Sequence, residues 1–224
     1  MKRRLQHDMA PDTPEGSPDD DTAVALPVEA ADVAAVAAAE TAHLIADAKA
    51  LTDAEMRAQR LEAFAFDVDG VLTDGGIWIG AHGETMKRFS VHDGFGLAML
   101  RRAGIRLAIV TGRRSEIVER RAEELGFDVV LQGVADKAHG LREVAGRLDL
   151  PLGAIGYIGD DWPDLPALRT AGLAATVADA PDELRAVSHW IATRPPGHGA
   201  VRELCEWLLR TRGQWNPTGD GTRS

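Results

Sequence analysis

From residue 63 onward the chain alternates short apolar runs with longer segments whose apolar residues recur at helical spacing. The runs at 63–68, 106–111, 129–131, 154–158 and 173–177 predict strands, and the segments at 95–103, 115–125, 137–148 and 163–171 predict helices. Strands without polar alternation are buried on both faces, and strands that alternate with helices form βαβ units. The expected fold is therefore α/β, with a doubly wound, mostly parallel sheet covered on both sides. One stretch departs from the alternation. Ile77, Trp78 and Ile79, and then residues 85–91, flank the turn-forming Ala81-His82-Gly83, which predicts a β-hairpin projecting from the first strand. Near the end, residues 200–210 place Val201, Leu204, Cys205, Leu208 and Leu209 on one stripe of a last helix.

The flanks differ in texture. Residues 1–27 are rich in Pro, Asp, Gly and Ser and predict a disordered acidic leader. Residues 28–60 are dominated by Ala and predict a helical extension. A break falls near Leu51, because Thr52 and Glu55 form a capping-box pattern for a second helix. Residues 61–212 then make up the α/β domain, and 213–224 a polar, flexible tail.

The formal net charge of -10 argues against a nucleic-acid binder, which needs a basic face. Much of that excess is Asp8, Asp12, Glu15, Asp19, Asp20 and Asp21, so the domain itself is closer to neutral. Cys205 is the only cysteine, which rules out an internal disulfide and suggests a reducing compartment. Residues 6–21 are polar where a signal peptide requires an apolar segment. The apolar stretch at 28–39 is short and interrupted by Glu29 and Asp32, so no membrane span is expected and the expected location is the cytoplasm.

Candidate chemistry gathers where predicted strands end. The first strand runs into Asp67-Val68-Asp69-Gly70, two carboxylates followed by a glycine that permits a sharp turn. Ligands of open parallel sheets bind at the carboxyl ends of strands, and close carboxylates repel unless a cation or proton stabilises them. By itself the pair is equally compatible with a calcium loop or a surface turn. The second strand ends in Thr111-Gly112-Arg113, a hydroxyl and a backbone NH suited to phosphate oxygens. Lys137 opens a helix after the third strand, against the helix dipole. The fourth strand ends in Gly159-Asp160-Asp161-Trp162-Pro163-Asp164, a second acidic cluster. Each feature alone has a bland explanation; four in order, each beyond a strand, do not share one.

This ordered set resembles the haloacid dehalogenase superfamily of phosphotransferases, whose Rossmann-like fold the alternation matches, over nearly everything from residue 64 to residue 209. The resemblance implies that Asp67 is a nucleophile forming an aspartyl-phosphate. Asp69 would protonate the leaving oxygen and then activate water. Thr111, Gly112 and Lys137 would hold phosphoryl oxygens, while Asp67, Asp160 and the backbone carbonyl of Asp69 would ligate Mg²⁺. Asp161 and Asp164 would act from behind these ligands or add a further one. An oxygen-rich acidic site suits a hard cation, and a carboxylate needs such neutralisation to approach a phosphate. Dehalogenases of the superfamily generally lack the second acid, so Asp69 favours a phosphatase.

The intervals from Asp67 to Thr111 and from Thr111 to Lys137 are too short for the cap domain that many members insert there. Three further segments, Asp67 to Gly75, Val91-His92-Asp93-Gly94-Phe95-Gly96 and Gly197-His198-Gly199-Ala200-Val201-Arg202-Glu203, resemble the capless 3-deoxy-D-manno-octulosonate 8-phosphate phosphatase family. That resemblance implies release of phosphate from the octulosonate during lipopolysaccharide inner-core synthesis, and a homotetramer packed through the 77–91 hairpin. Many members carry arginine where this chain has His92, a position associated with the sugar carboxylate; Arg88, Arg113, His198 and Arg202 are further candidates for substrate contact. Alternatives are a phosphatase for a nine-carbon acid sugar phosphate, a receiver-like phosphoacceptor, which Asp69 argues against, and a non-catalytic assembly module.

Overall fold

A computed structural model describes residues 53–217. The expected acidic leader, most of the helical extension and the Thr52 capping position lie outside the described residues. Residues 53–59 are helical (α1). After it come β1 (Ala63–Phe66), β2 (Trp78–Gly80), β3 (Gly83–Met86), α2 (Val91–Arg102), β4 (Arg106–Thr111), α3 (Glu116–Leu125) and β5 (Val129–Gln132). The second half adds α4 (Lys137–Leu148), β6 (Ile155–Gly159), α5 (Leu165–Leu168), β7 (Leu173–Thr176), α6 (Asp182–Val187), β8 (Trp190–Ile191) and α7 (Ala200–Thr211).

Six strands form one sheet in the order β5-β4-β1-β6-β7-β8, and every neighbouring pair is parallel. β1 lies inside it, with Ala65 opposite Ala108 of β4 on one side and Tyr157 of β6 on the other. All four β1 residues and all five of β6 are buried, which is why neither shows polar alternation. Gly156 is small because a Cβ there would lie 2.3 Å from the Phe64 ring. The chain builds β4 and β5 on one side of β1, then returns to build β6, β7 and β8 on the other. The order of the sheet therefore reverses beside β1, and the crevice for a ligand opens beyond the carboxyl ends of β1 and β6.

The α/β reading holds, and three details of it change. The second arm of the hairpin is Gly83–Met86 rather than 85–91, because Ser90 starts α2 early: its hydroxyl accepts from the Asp93 NH at 3.3 Å. The expected helix at 163–171 is a 3-10 turn, Trp162–Asp164, followed by the short α5, since Pro163 and Pro166 supply no NH to a ladder. The sequence reading missed α6 and β8, each too brief to show a period. The last helix is as expected: Val201, Leu204, Cys205, Leu208 and Leu209 are all buried, and Cys205 is a core residue. Beyond it, Trp215 lies under the Arg210 guanidinium at 4.2 Å. Neither interval holds a cap: the first contains the hairpin and α2, and the second contains α3 and β5. Among the described residues, no helix is long and apolar enough to cross a membrane.

Candidate active site

β1 ends one residue before Asp67, and β6 one residue before Asp160, so the two acids emerge side by side at the reversal of the sheet. Gly70 makes their approach possible. It sits at φ +88, and a Cβ there would fall 2.0 Å from Asp160 Oδ2, so only glycine serves both the turn and the close packing. Asp67, Asp160 and Asp164 each bring a carboxylate oxygen within 4.8 Å of one another.

Lys137 answers part of that negative charge. Its ammonium donates to Asp67 Oδ2 and to Asp164 Oδ1, both at 2.6 Å, with all three side chains buried. Asp164 is fully engaged: Oδ1 also accepts from the Tyr157 hydroxyl at 2.5 Å, and Oδ2 accepts from the NH groups of Asp160 and Asp161 at 3.1 and 3.2 Å. Asp67 Oδ1, by contrast, is buried and accepts no hydrogen bond. Burial, with the Asp67 and Asp164 charges beside it, raises Asp160 to about 8. Burial and Asp164 likewise push Asp67 up to about 6 despite Lys137.

A buried oxygen without a donor, beside a neighbouring acid pushed out of its ionised range, is the signature of an acceptor set short of one cation. The donor set is all oxygen, which fits Mg²⁺. Asp67 and Asp160 have oxygens free for it. Asp164 does not, and instead holds Lys137 and the loop in place.

A second ion-paired group surrounds Asp69. Its Oδ1 accepts from Lys87 Nζ, and its Oδ2 lies 3.6 Å from Arg113 Nε. Lys87 also pairs with Glu84 Oε2 at 3.2 Å, and the Arg113 guanidinium reaches the same oxygen at 3.6 Å. The Ser115 hydroxyl donates to Glu84 Oε1 at 2.6 Å. Burial opposes the charge on Glu84, but Ser115, Lys87 and Arg113 outweigh it and hold the carboxyl below its usual range.

The other candidates divide. Thr111 ends β4 and is buried, with Gly112 following it toward α3. Gly197, at φ +66, packs where a Cβ would lie 2.5 Å from the Asp74 backbone nitrogen, so only glycine fits beside the loop after β1. His198 Nε2 is 3.0 Å from Arg88 Nη1, which also pairs with Asp74 at 3.5 Å. His92 is exposed at the start of α2. Arg202 is occupied elsewhere: Nε donates to Glu206 at 2.6 Å and the guanidinium stacks 5.3 Å from the Phe95 ring. Asp161 is exposed and accepts from the Trp162 NH at 2.8 Å.

A model of haloacid dehalogenase-like hydrolases matches residues 96–172. The 3-deoxy-D-manno-octulosonate 8-phosphate phosphatase KdsC of Yersinia pestis is 40% identical over 157 residues, covering 70% of this chain and 84% of that protein. The chain belongs to the 3-deoxy-D-manno-octulosonate 8-phosphate phosphatase family. It is thus a phosphatase of the haloacid dehalogenase superfamily. The crystal structure of the phosphatase from Moraxella catarrhalis, in complex with magnesium ion, phosphate ion and KDO molecule, is 46% identical with a TM-score of 0.69. That likeness covers 71% of this chain and 91% of the other. The cobalt-bound enzyme of Haemophilus influenzae, 35% identical, gives a TM-score of 0.69 over 70% of this chain and 92% of its own.

Sequence reasoning about this family missed Lys87, Glu84 and Tyr157. The run Glu84-Thr85-Met86-Lys87-Arg88 reads as a solvated hairpin arm, and only the packing of the hairpin's base buries Lys87. Tyr157 did carry a signal. A tyrosine inside an apolar strand must find a partner for its hydroxyl, and here it is Asp164.

The raised acids give a pH signature. A carboxyl whose pKa is raised on folding stabilises the fold fully below its unfolded value, and that stability is lost as pH climbs to the folded value. Metal-free protein should therefore lose stability between about pH 4, near the unfolded carboxyl value, and about 8, where Asp160 ionises. A cation needs the ionised forms, so the rise in melting temperature produced by Mg²⁺ should be small at the acidic end of that window and grow toward the alkaline end. Thermal melts with and without Mg²⁺ across the window check it; a shift independent of pH would contradict the assignment of these acids.

Proposed function

We propose that this chain hydrolyses 3-deoxy-D-manno-octulosonate 8-phosphate to the free acid sugar and inorganic phosphate, as a step in lipopolysaccharide inner-core synthesis. The observation that carries the choice of substrate is the 46% identity to the Moraxella catarrhalis enzyme whose structure holds magnesium, phosphate and KDO. The convergence of Asp67, Asp160 and Lys137 supports the chemistry.

Asp67 attacks the phosphorus with Oδ2, the oxygen beside Lys137, while Oδ1, which accepts no hydrogen bond, is left for the cation. The bond to the sugar oxygen breaks as Asp69 supplies that oxygen with a proton. Water then attacks the phosphorus of the aspartyl-phosphate, gives a proton back to Asp69 and frees Asp67. Thr111, the Gly112 NH and Lys137 cradle the phosphoryl oxygens through both steps. Mg²⁺, held by Asp67, Asp160 and the Asp69 backbone carbonyl, would supply the charge that lets an anionic nucleophile meet an anionic phosphate. Asp164 and Asp161 support the loop. Arg88, His92 and His198 are the contacts proposed for the sugar carboxylate and hydroxyls, with Arg113 beside Asp69; Arg202 would have to leave Glu206 to serve as one.

The exposed Ile77, Trp78, Ile79 and Met86 on the hairpin support a homotetramer closed by these residues. The single buried thiol of Cys205 supports a cytoplasmic setting.

The test is phosphate release from the octulosonate 8-phosphate and from a nine-carbon acid sugar phosphate, each with Mg²⁺ and with EDTA. The octulosonate should be preferred and EDTA should abolish turnover. Equal rates on the two sugars would overturn the substrate assignment, and turnover undiminished by EDTA would overturn the mechanism.

A further inference from the structure

We propose that Lys87, held by Glu84, is the positioning residue that aims Asp69 at the leaving oxygen, so that the hairpin is part of the proton-transfer apparatus. The proposal rests on the reading of Asp69 as acid and base.

Lys87 stands just past β3, and its side chain has no exposure at all. A lysine so deeply buried is destabilising unless its charge is met. Here it is met twice, by Asp69 Oδ1 and by Glu84 Oε2. Arg113 closes the figure by facing both acids at 3.6 Å, giving a ring of alternating charge: Asp69, Lys87, Glu84, Arg113. Two positive and two negative groups balance, so no net charge is left beneath the site. Lys87 cannot itself reach substrate, because its ammonium is enclosed by these acids.

The consequence falls on the two oxygens of Asp69. Oδ1 is tied to Lys87. Oδ2 has only the long contact to Arg113, and the Asp69 side chain retains 18% exposure. One oxygen is therefore an anchor and the other is open to exchange a proton with the leaving oxygen. A carboxylate on a loop, lacking such an anchor, samples several χ1 and χ2 positions, and proton transfer depends steeply on its alignment. Glu84, fixed in turn by Ser115 at the start of α3, keeps Lys87 from following Asp69 into other conformations.

The test separates positioning from mere support of the fold. A good leaving group departs without a proton; an alkoxide needs one. Lys87→Met, Lys87→Arg and Glu84→Gln are compared with the parent on the octulosonate 8-phosphate and on phenyl phosphates of graded leaving-group pKa, using kcat/KM with saturating Mg²⁺. Lys87→Met should lose about a hundredfold on the sugar phosphate, the lower end of what general acid catalysis contributes, and progressively less as the leaving group improves. Lys87→Arg should recover part of that loss, and Glu84→Gln should show the same trend with smaller amplitude. A uniform loss across the series, or none, would overturn the proposal. Should the sugar phosphate prove not to be a substrate, the reading of the substrate fails alone, because the phenyl series still reports the leaving-group dependence. If Lys87→Met does not fold, the slopes of the other two variants decide.

Discussion

Asp67→Asn should reduce phosphate release by a factor on the order of 10⁴ or more, because it takes away the carboxylate proposed to accept the phosphoryl group. An amide is isosteric with the carboxylate but is a poor nucleophile, so the loss belongs in kcat and not in substrate binding. The structure also separates this effect from unfolding. Asp67 is buried against Lys137 at 2.6 Å and its other oxygen has no partner, so its charge is not a source of stability in metal-free protein. The amide should melt no lower than the parent without metal, while losing much of the stabilisation that Mg²⁺ confers. Retained turnover, or a variant that captures phosphate from substrate in a stable covalent form, would show that another residue is the nucleophile.

Lys137→Met should be nearly as damaging, and for a different reason. The ammonium is the only cation within hydrogen-bonding distance of both Asp67 and Asp164 among the described residues, and burial of all three leaves little water to screen them. Removing one partner of a buried ion pair costs roughly 3–5 kcal/mol, since the other is left uncompensated. The cost here should be greatest near neutral pH and shrink in acid, where the orphaned Asp67 carboxyl, already raised to about 6, takes up a proton. Turnover should fall on the order of 10³-fold, because the group proposed to neutralise a transferring phosphoryl oxygen is gone. Denaturant titrations at two pH values, with phosphate release measured on the folded fraction, check both parts. A variant stable at neutral pH and still active would remove Lys137 from the site.

Much of this was legible from residue order. Five of the six strands of the main sheet announced themselves because a strand buried on both faces must be apolar along its length, as β1 and β6 are. Asp67, Lys137 and Asp160 were legible because each follows such a strand, and Thr111 because it ends one; the geometry of parallel sheets does the rest. The charge ring around Asp69 was not. Glu84 and Lys87 stand among polar neighbours as in any solvated hairpin arm, and nothing in their spacing marks Lys87 as buried or Glu84 as half-buried. That information lies in how the base of the hairpin closes over the loop after β1. β8 was illegible for a related reason, since two residues, Trp190 and Ile191, pair at the edge of a sheet that already exists and need no pattern of their own. The start of α2 was misjudged because Val91 and His92 look extended until Ser90 is recognised as a cap.

The placement of Asp67 and Asp160 on adjacent strands has a consequence for how the molecule comes into being. β1 and β6 are neighbours in the sheet, yet β4, β5 and their helices intervene along the chain. During synthesis the first acid waits, without its partner, until most of the domain has been made. A half-built chain therefore lacks the second acid, and a cation held between the two would be captured only once β6 has docked beside β1. Pairings of such long range form slowly, and what forms after the folding barrier governs how fast the protein comes apart, not how fast it assembles. A metal held there would act as a latch on a finished structure, not as a seed for an unfinished one.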